Sequence, residues 1–335
     1  MTRTVTWGVL STAKIGLEKV VPAMMRGDVA QVAAIASRDL NTARTAAEQL
    51  GIAKAYGSYE DLLADPDIDA IYNPLPNHLH VPWTIKALQA GKHVLCEKPI
   101  GLTADEAQAL IAARDASGKR VAEAFMVRFH PQWVRAREIV RSGQLGEVRA
   151  IQTFFSYYNV DPNNVRNKAD IGGGGLLDIG CYAVATARYL FGAEPERVVG
   201  QMDIDPRFGT DRLVSGLAAF PDGRQLSFIC STQLATYQRV QIVGTVGRLE
   251  VEIPFNAPPG YGCALLIDMG KDLKGGSIRR ETMPECDQYT LQGDAFSRMI
   301  LGEEPQEFGL EDALLNMRVL DAFARSAQRG GWEAP

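Results

Sequence analysis

The sequence predicts an α/β protein with two domains, the first a doubly wound parallel sheet. Three observations carry this. Short β-branched runs alternate with helix-period segments through the first third of the chain. Capping residues and glycine stops punctuate those segments. From residue 148 onward the apolar residues alternate with polar ones, and the segments read as further strands.

The elements follow in order. Thr4 to Leu10 is short, β-branched and followed by small residues, which suits a buried parallel strand. Lys14 to Arg26 has apolar residues at helical spacing, with Pro22 interrupting. Val29 to Ala36 is a second strand, and Leu40 to Leu50 an Ala-rich helix stopped by Gly51. Ala55-Tyr56 is a brief third strand, and Ser58 caps a helix over Tyr59 to Ala64. Ile68 to Asn73 is the fourth strand, Val81 to Ala90 a helix ended by Gly91, and His93 to Cys96 the fifth strand. Thr103 caps Ala104 to Ser117, with Glu106 placed for a capping box and Gly118 as the stop. Val121 to Phe125 completes six strands, joined by right-handed crossovers. The domains divide as residues 1–124 and 125–335.

Composition narrows the function. The chain has 335 residues, 46% hydrophobic and 22% charged, enough to bury a sizeable core without staples. A net charge of −5, with neither half basic, makes nucleic acid and anionic membranes poor partners and favours a small molecule. Five scattered cysteines without a C-x-x-C pair indicate no zinc site or redox dithiol. Lys14, Glu18 and Lys19 interrupt Met1 to Met25 as a secretory leader, and no apolar run is long enough to span a bilayer. The expected setting is cytoplasmic.

The turn after the first strand should carry G-x-G-x-x-G in a dinucleotide fold, and here reads Ser11-Thr12-Ala13-Lys14-Ile15-Gly16. Small residues still permit close approach of a pyrophosphate to the helix N-terminus, yet the stretch equally suits an ordinary strand–turn–helix. The second strand ends in Ser37-Arg38, with no carboxylate to repel a 2′-phosphate. A hydroxyl and a guanidinium there favour NADP over NAD; the plain alternative is that Arg38 solvates a loop.

Two further stretches lie at strand carboxyl ends, where open α/β sheets bind ligands. Asn73-Pro74-Leu75-Pro76-Asn77-His78-Leu79-His80 could line a nicotinamide or be a proline-stiffened loop. Its histidines, with His93 and His130, show no metal-site spacing. Cys96-Glu97-Lys98-Pro99 puts a lysine beside the ligand crevice, with a cis bond at Pro99 as one way to aim it. In isolation a Glu-Lys pair is usually a surface pair.

The second domain contributes Gly172-Gly173-Gly174-Gly175-Leu176-Leu177-Asp178-Ile179-Gly180-Cys181-Tyr182. The glycines let backbone approach a ligand, and Asp178 and Tyr182 share a helix face at i, i+4. A carboxylate and a phenol so placed can hold a sugar hydroxyl and exchange its proton; a helix start with a half-buried tyrosine is the plain alternative.

Together, Ser11-Thr12-Ala13, Glu97-Lys98-Pro99 and Gly172 to Tyr182 resemble the glucose–fructose oxidoreductase/inositol dehydrogenase/rhizopine-catabolism (Gfo/Idh/MocA) family. The resemblance runs from Thr4 to a terminal helix over Leu310 to Ala327. Phe125-Met126-Val127-Arg128-Phe129-His130-Pro131 matches the branch of glucose–fructose oxidoreductase, NADP-xylose dehydrogenase and dihydrodiol dehydrogenase. The family implies a Rossmann domain and a C-terminal α/β domain with a largely antiparallel open sheet that packs against a second subunit. Val148–Tyr158, Val214–Phe220, Gln225–Thr232, Arg239–Val243 and Leu249–Ile253 are the strands that agree. An uncovered face there implies a homodimer or higher homo-oligomer.

Position by position, the resemblance makes Lys98 the family's lysine, Asp178 its substrate-orienting aspartate and Tyr182 its acid/base. The cofactor residues it implies are Ser11, Thr12, Ala13, Lys14, Ile15, Ser37, Arg38, Asn73, Pro74, Leu75, Asn77, His80, Glu97, Lys98 and Arg128. Substrate would meet Lys98, Tyr157, Asn164, Arg166, Asp178 and Tyr182. The implied reaction is hydride transfer between NADP(H) and a sugar carbon. A free phenol titrates at about 10, so the Lys98 ammonium is needed to favour the phenolate and steady an alkoxide. A dihydrodiol or ketosugar reductase would use the same pair. A non-catalytic NADP-binding regulator, which the family also contains, would need neither side chain.

Overall fold

The computed structural model describes residues 3–335; Met1 and Thr2, the start of the stretch considered above as a leader, lie outside the described residues. Two compact units emerge, residues 1–126 with 287–314, and residues 127–286 with 315–335.

The first unit is a six-stranded parallel sheet in the order β3-β2-β1-β4-β5-β6. In chain order its elements are β1 (Val5–Leu10), a π-helical turn (Gly16–Val20) running into α1 (Val21–Met24), β2 (Ala30–Ala36) and α2 (Leu40–Leu50). Next come β3 (Lys54–Tyr56), α3 (Tyr59–Ala64), β4 (Ala70–Asn73), α4 (Asn77–Gln89), β5 (His93–Cys96), α5 (Ala104–Ser117) and β6 (Val121–Glu123). Trp7, Val9, Leu10, Ile71, Val94 and Val121 are buried, as strands covered on both faces require.

Three local expectations change. The helix expected from Val81 begins at Asn77, so His78 and His80 stand in its first turns and Pro82 lies inside it. The expected loop therefore shrinks to Pro74–Pro76. Glu106 does not close a capping box; its Oε2 accepts the Leu102 amide at 2.7 Å, while Thr103 Oγ1 accepts the Glu106 amide. The division at residue 124 also needs amendment, because a segment far along the chain completes the first unit. On α8 (Gln288–Leu301), Asp294 accepts the amides of Asp28 and Val29, and Ser297 accepts Trp7 Nε1–H at 3.1 Å. A buried indole N–H and two turn amides need partners, and α8 provides them.

In the second unit, α6 (Pro131–Arg141) leads to β7 (Val148–Tyr158). A glycine-rich loop then gives a π-helical turn (Leu176–Gly180) continuing as α7 (Cys181–Phe191). Then follow β8 (Arg197–Ile204), β9 (Asp211–Ala219), β10 (Gln225–Ser231), β11 (Gln233–Gly244), β12 (Arg248–Val251), β13 (Ala264–Asp268) and β14 (Arg279–Thr282). The last helix, α9 (Leu310–Arg329), ends in this unit. The eight strands lie in the order β14-β13-β12-β11-β7-β10-β9-β8, antiparallel throughout except for β10 against β7. β10 and β11 are joined through Thr232 alone, yet β7 lies between them.

One face of this sheet is buried, with Ile151, Phe155, Leu226, Phe228, Val240 and Ile242 in its core. Gln152, Phe154, Leu217, Ile229, Tyr237 and Arg239 line a cavity of about 780 Å³ on the other, where Tyr237 is 49% exposed.

Candidate active site

Each unit holds one cluster of the expected residues. In the first, the cluster stands at the carboxyl edge of the parallel sheet. Leu10, Ala36 and Tyr56 lie in register there, so the segments beginning at Ser11 and Ser37 leave side by side. Ser11 has φ +82°, the left-handed conformation for which glycine is preferred, and its hydroxyl accepts the Ala13 amide. A serine thus stands in a backbone conformation that glycine ordinarily takes. The π-helical turn that follows has no side-chain cap.

Ser37 is buried and Arg38 exposed. The carboxylate next along the chain, Asp39, is committed to α2: it accepts both the amide and the hydroxyl of Thr42. These donors fit the phosphates of a dinucleotide: hydroxyls, an exposed guanidinium and a helix start without a side-chain cap, with Asp39 engaged by Thr42.

The Glu97–Pro99 segment is pinned on both sides. The Glu97 amide bonds to Asn73 O, and Glu97 Oε1 accepts the hydroxyl of Tyr72 at 2.7 Å. The Lys98–Pro99 peptide is cis. The Ile100 amide bonds to Glu123 Oε1 at 2.8 Å. His80, 1% exposed, has Nδ1 at 2.7 Å from Pro99 O and Nε2 at 2.6 Å from Leu75 O, and burial pushes its pKa down to about 4. The neutral ring carries one N–H, so it donates to one of the two carbonyls. Asn73 is fully buried and braces the turn into α4: its Nδ2 donates to His80 O and Thr84 Oγ1, and its Oδ1 accepts the Leu75 amide. His80 and Asn73 thus hold the scaffold under Lys98, with Pro74 and Leu75 between them; Asn77 opens α4.

The second cluster is built on β7 and the helix that begins at Leu176. A strand advances about 6.6 Å in two residues and a helix about 6 Å in four, so alternate strand residues meet successive helical turns. Tyr157 therefore meets Asp178, its hydroxyl 2.5 Å from Oδ2, and Phe155 meets Tyr182 with ring centroids 5.9 Å apart. Arg166 Nε donates to the same Asp178 Oδ2 at 2.8 Å. Asn164 caps the short turn carrying Arg166, accepting its amide. Among the expected substrate residues, Tyr157, Arg166 and Asp178 are thus brought into direct contact, with Asn164 supporting them. Arg128 lies in a 3-10 turn (Met126–Phe129) and is buried.

Burial and the Asp178 charge push the Tyr157 phenol up, so it stays protonated and donates. The Asp178 charge also holds the Arg166 guanidinium ionised. Tyr182, 5% exposed, sits against Phe155 and Phe255, with Phe255 stacked on Phe155 at 4.7 Å. Trp133 stacks on Phe255 and anchors the corner through Nε1–H to Pro254 O at 2.6 Å. Each such aromatic pair contributes about 0.5–1.5 kcal/mol beyond burial.

The glycine run has a tighter reason than approach to a ligand. A Cβ on Gly173 would lie 2.6 Å from the carbonyl oxygens of Arg166 and Lys168. Gly174, at φ +118°, would bring one within 1.9 Å of Asp211 Oδ1. These two glycines are required by their own chain. Tyr72, Glu123 and Asp211 were not singled out in the sequence. Tyr72 precedes Asn73 at a strand end already of interest, but no spacing links Asp211 to the glycine run.

Residues 5–125 match an oxidoreductase family described as having an NAD-binding Rossmann fold, and residues 133–250 match the GFO/IDH/MocA C-terminal domain. An uncharacterised oxidoreductase of Rhizobium meliloti is 49% identical over 98% of this chain and 98% of its own. A D-xylose 1-dehydrogenase (NADP(+)) of Haloferax volcanii is 38% identical over 97% and 98%. The crystal structure of aldose-aldose oxidoreductase from Caulobacter crescentus, complexed with glycerol, superposes with a TM-score of 0.91 at 29% identity, covering 99% of this chain and 100% of that one.

Proposed function

The chain belongs to the Gfo/Idh/MocA oxidoreductase family, and from that premise we propose that it transfers a hydride between NADP and a hydroxyl-bearing carbon of a sugar, aldose or related carbohydrate. The observation that carries the reading is the division of labour between two tyrosines. Tyr157 is locked as a proton donor on Asp178, whereas Tyr182 stands one turn further along, in an aromatic corner. Tyr182 is the residue that gives or takes the hydroxyl proton.

Asp178, held by Tyr157 and Arg166, orients the substrate through its carboxylate. Arg166 pairs with that carboxylate and offers further N–H donors to substrate oxygens. Lys98, on its pinned segment, supplies an ammonium charge for the alkoxide that develops. Bound NADP supplies the hydride acceptor or donor. Ser37 and Arg38 select the phosphorylated dinucleotide, because the acid beside them caps α2. The open sheet face around Tyr237 and Ile229 is where subunits associate.

The test is a panel of aldoses, ketoses and diols with NADP⁺ or NAD⁺, followed by nicotinamide absorbance, on the parent protein and Tyr182→Phe. The variant is expected to lose about 10²–10⁴-fold in kcat and to bind NADP as the parent does. Full turnover in Tyr182→Phe, or a preference for NAD⁺, would sink the reading.

A further inference from the structure

The helix that carries Asp178 and Tyr182 has no capping side chain of its own at Gly175. Its first amides are satisfied from another element. Asp211, the first residue of β9, extends its carboxylate so that Oδ2 accepts the Leu176 amide at 2.6 Å, and the Gly175 amide bonds to it as well. Gly174 has no side chain where that carboxylate lies, at φ +118°. A bare carboxylate on the first amides of a helix is favoured by charge-assisted hydrogen bonds and by the helix dipole.

We propose that Asp211 is the positioning residue for the acid/base: ionised, it clamps the start of the Leu176–Phe191 helix and thereby sets where Asp178 and Tyr182 stand. This rests on the reading of Tyr182 given above. It also gives the site a proton-controlled setting. Burial pushes the Asp211 carboxyl up to about 6, against the amides that favour its charged form. Asp178 from the helix faces it with a like charge, and Cys230 from β10 faces it as a buried thiol whose own pKa is raised. Arg212, its neighbour on β9, is turned to Asp203. The folded pKa lies above the ordinary 3.8, so Asp211's contribution to stability is complete below about pH 3.8 and is lost as pH rises through about 6. The charged clamp is therefore held at a cost in stability, and activity requires the form that folding disfavours.

The experiment compares parent and Asp211→Asn by kcat against pH, thermal melting at pH 8, and amide hydrogen exchange over residues 174–182. Asparagine keeps an acceptor but removes the charge. Expected are a kcat lower by about tenfold to hundredfold, loss of the acid limb near pH 6, melting at pH 8 equal to or above the parent, and faster exchange over 174–182. The parent itself is expected to show that faster exchange below pH 6, after correction for intrinsic rates, which decides the matter should the variant fail to fold. An unchanged kcat and acid limb, or unchanged exchange in both comparisons, would overturn the proposal. A fall in melting temperature alongside activity would reduce Asp211 to a structural cap. Should Tyr182→Phe prove fully active, the parent reading fails, and the exchange data still judge the clamp.

Discussion

Two helices in this protein begin in the same way and are finished differently. The one after β1 and the one after the glycine run each start with a π-helical turn, Gly16–Val20 and Leu176–Gly180, a feature that recurs at functional sites. Before the first, Ser11 takes a left-handed backbone at φ +82° and no side chain caps the turn. Before the second, Gly174 takes φ +118° and Asp211 occupies the amides. One start has no side-chain cap, where the proposed cofactor phosphate would sit, and the other carries its own carboxylate. The difference teaches that a helix N-terminus is a resource with two uses: recognition of a ligand, or fixing of the residues downstream.

That contrast can be broken at three places. The largest effect is expected at Gly174→Ala, where the new Cβ meets Asp211 Oδ1 at 1.9 Å and the φ is strained. A loss of about 3 kcal/mol or more by denaturant melting is expected, together with turnover; a loss below about 1 kcal/mol would mean the clamp has slack. Ala13→Asp makes the first start resemble the second. The added carboxylate is expected to stabilise its helix by about 0.3–1 kcal/mol. It is also expected to weaken NADP binding about a hundredfold or more through like-charge repulsion, read by calorimetry. Retained affinity would show that phosphate does not approach there. The smallest effect belongs to Ser11→Gly, which relieves the left-handed backbone and gives up the bond to the Ala13 amide. A gain of about 0.5–1 kcal/mol is expected, with affinity for NADP unchanged; destabilisation would mean that the hydroxyl contact outweighs the backbone strain.

The first unit was the more legible in the sequence because its central strands are buried on both faces and its helices carry their own stops. Ser58 and Thr103 cap as expected, and Gly51 and Gly118 terminate in left-handed conformation. No local pattern marks α8 as part of this unit, because its Asp294 and Ser297 complete partners over 260 residues away. In the second unit, β8 and β14 were not among the strands read from the sequence: Arg279–Thr282 has no apolar stripe, and the alternation of Val198, Met202 and Ile204 in β8 is broken by Val199 and Gly200. These strands are the sheet's two edges, and exposed edge strands such as Arg279–Thr282 carry charge instead of an apolar stripe. β13 runs Ala-Leu-Leu-Ile from residue 264 without polar alternation, with Leu265 and Ile267 buried, so it lacks the period-2 pattern by which the other strands of this unit were read. The candidate site residues were named by resemblance, but contact between Arg166 and Asp178 depends on how the loop after β7 folds back. Asp211 was invisible for the same reason: its role exists only once β9 lies beside the helix start.

The strand β7 has one more consequence. β10 and β11 are consecutive and separated by Thr232 alone, the arrangement of a hairpin, but they pair with β7 instead of with each other. The quick local zipping that usually nucleates such a pair is therefore denied to the chain. Phe228 must find Thr153, and Val240 the same residue from the opposite flank, across about 75 and 90 residues of intervening chain. Loop-closure entropy is thus met before any of these pairings rewards it, so folding of this unit waits on β7, the same strand that presents Phe155 and Tyr157 to the helix of Tyr182.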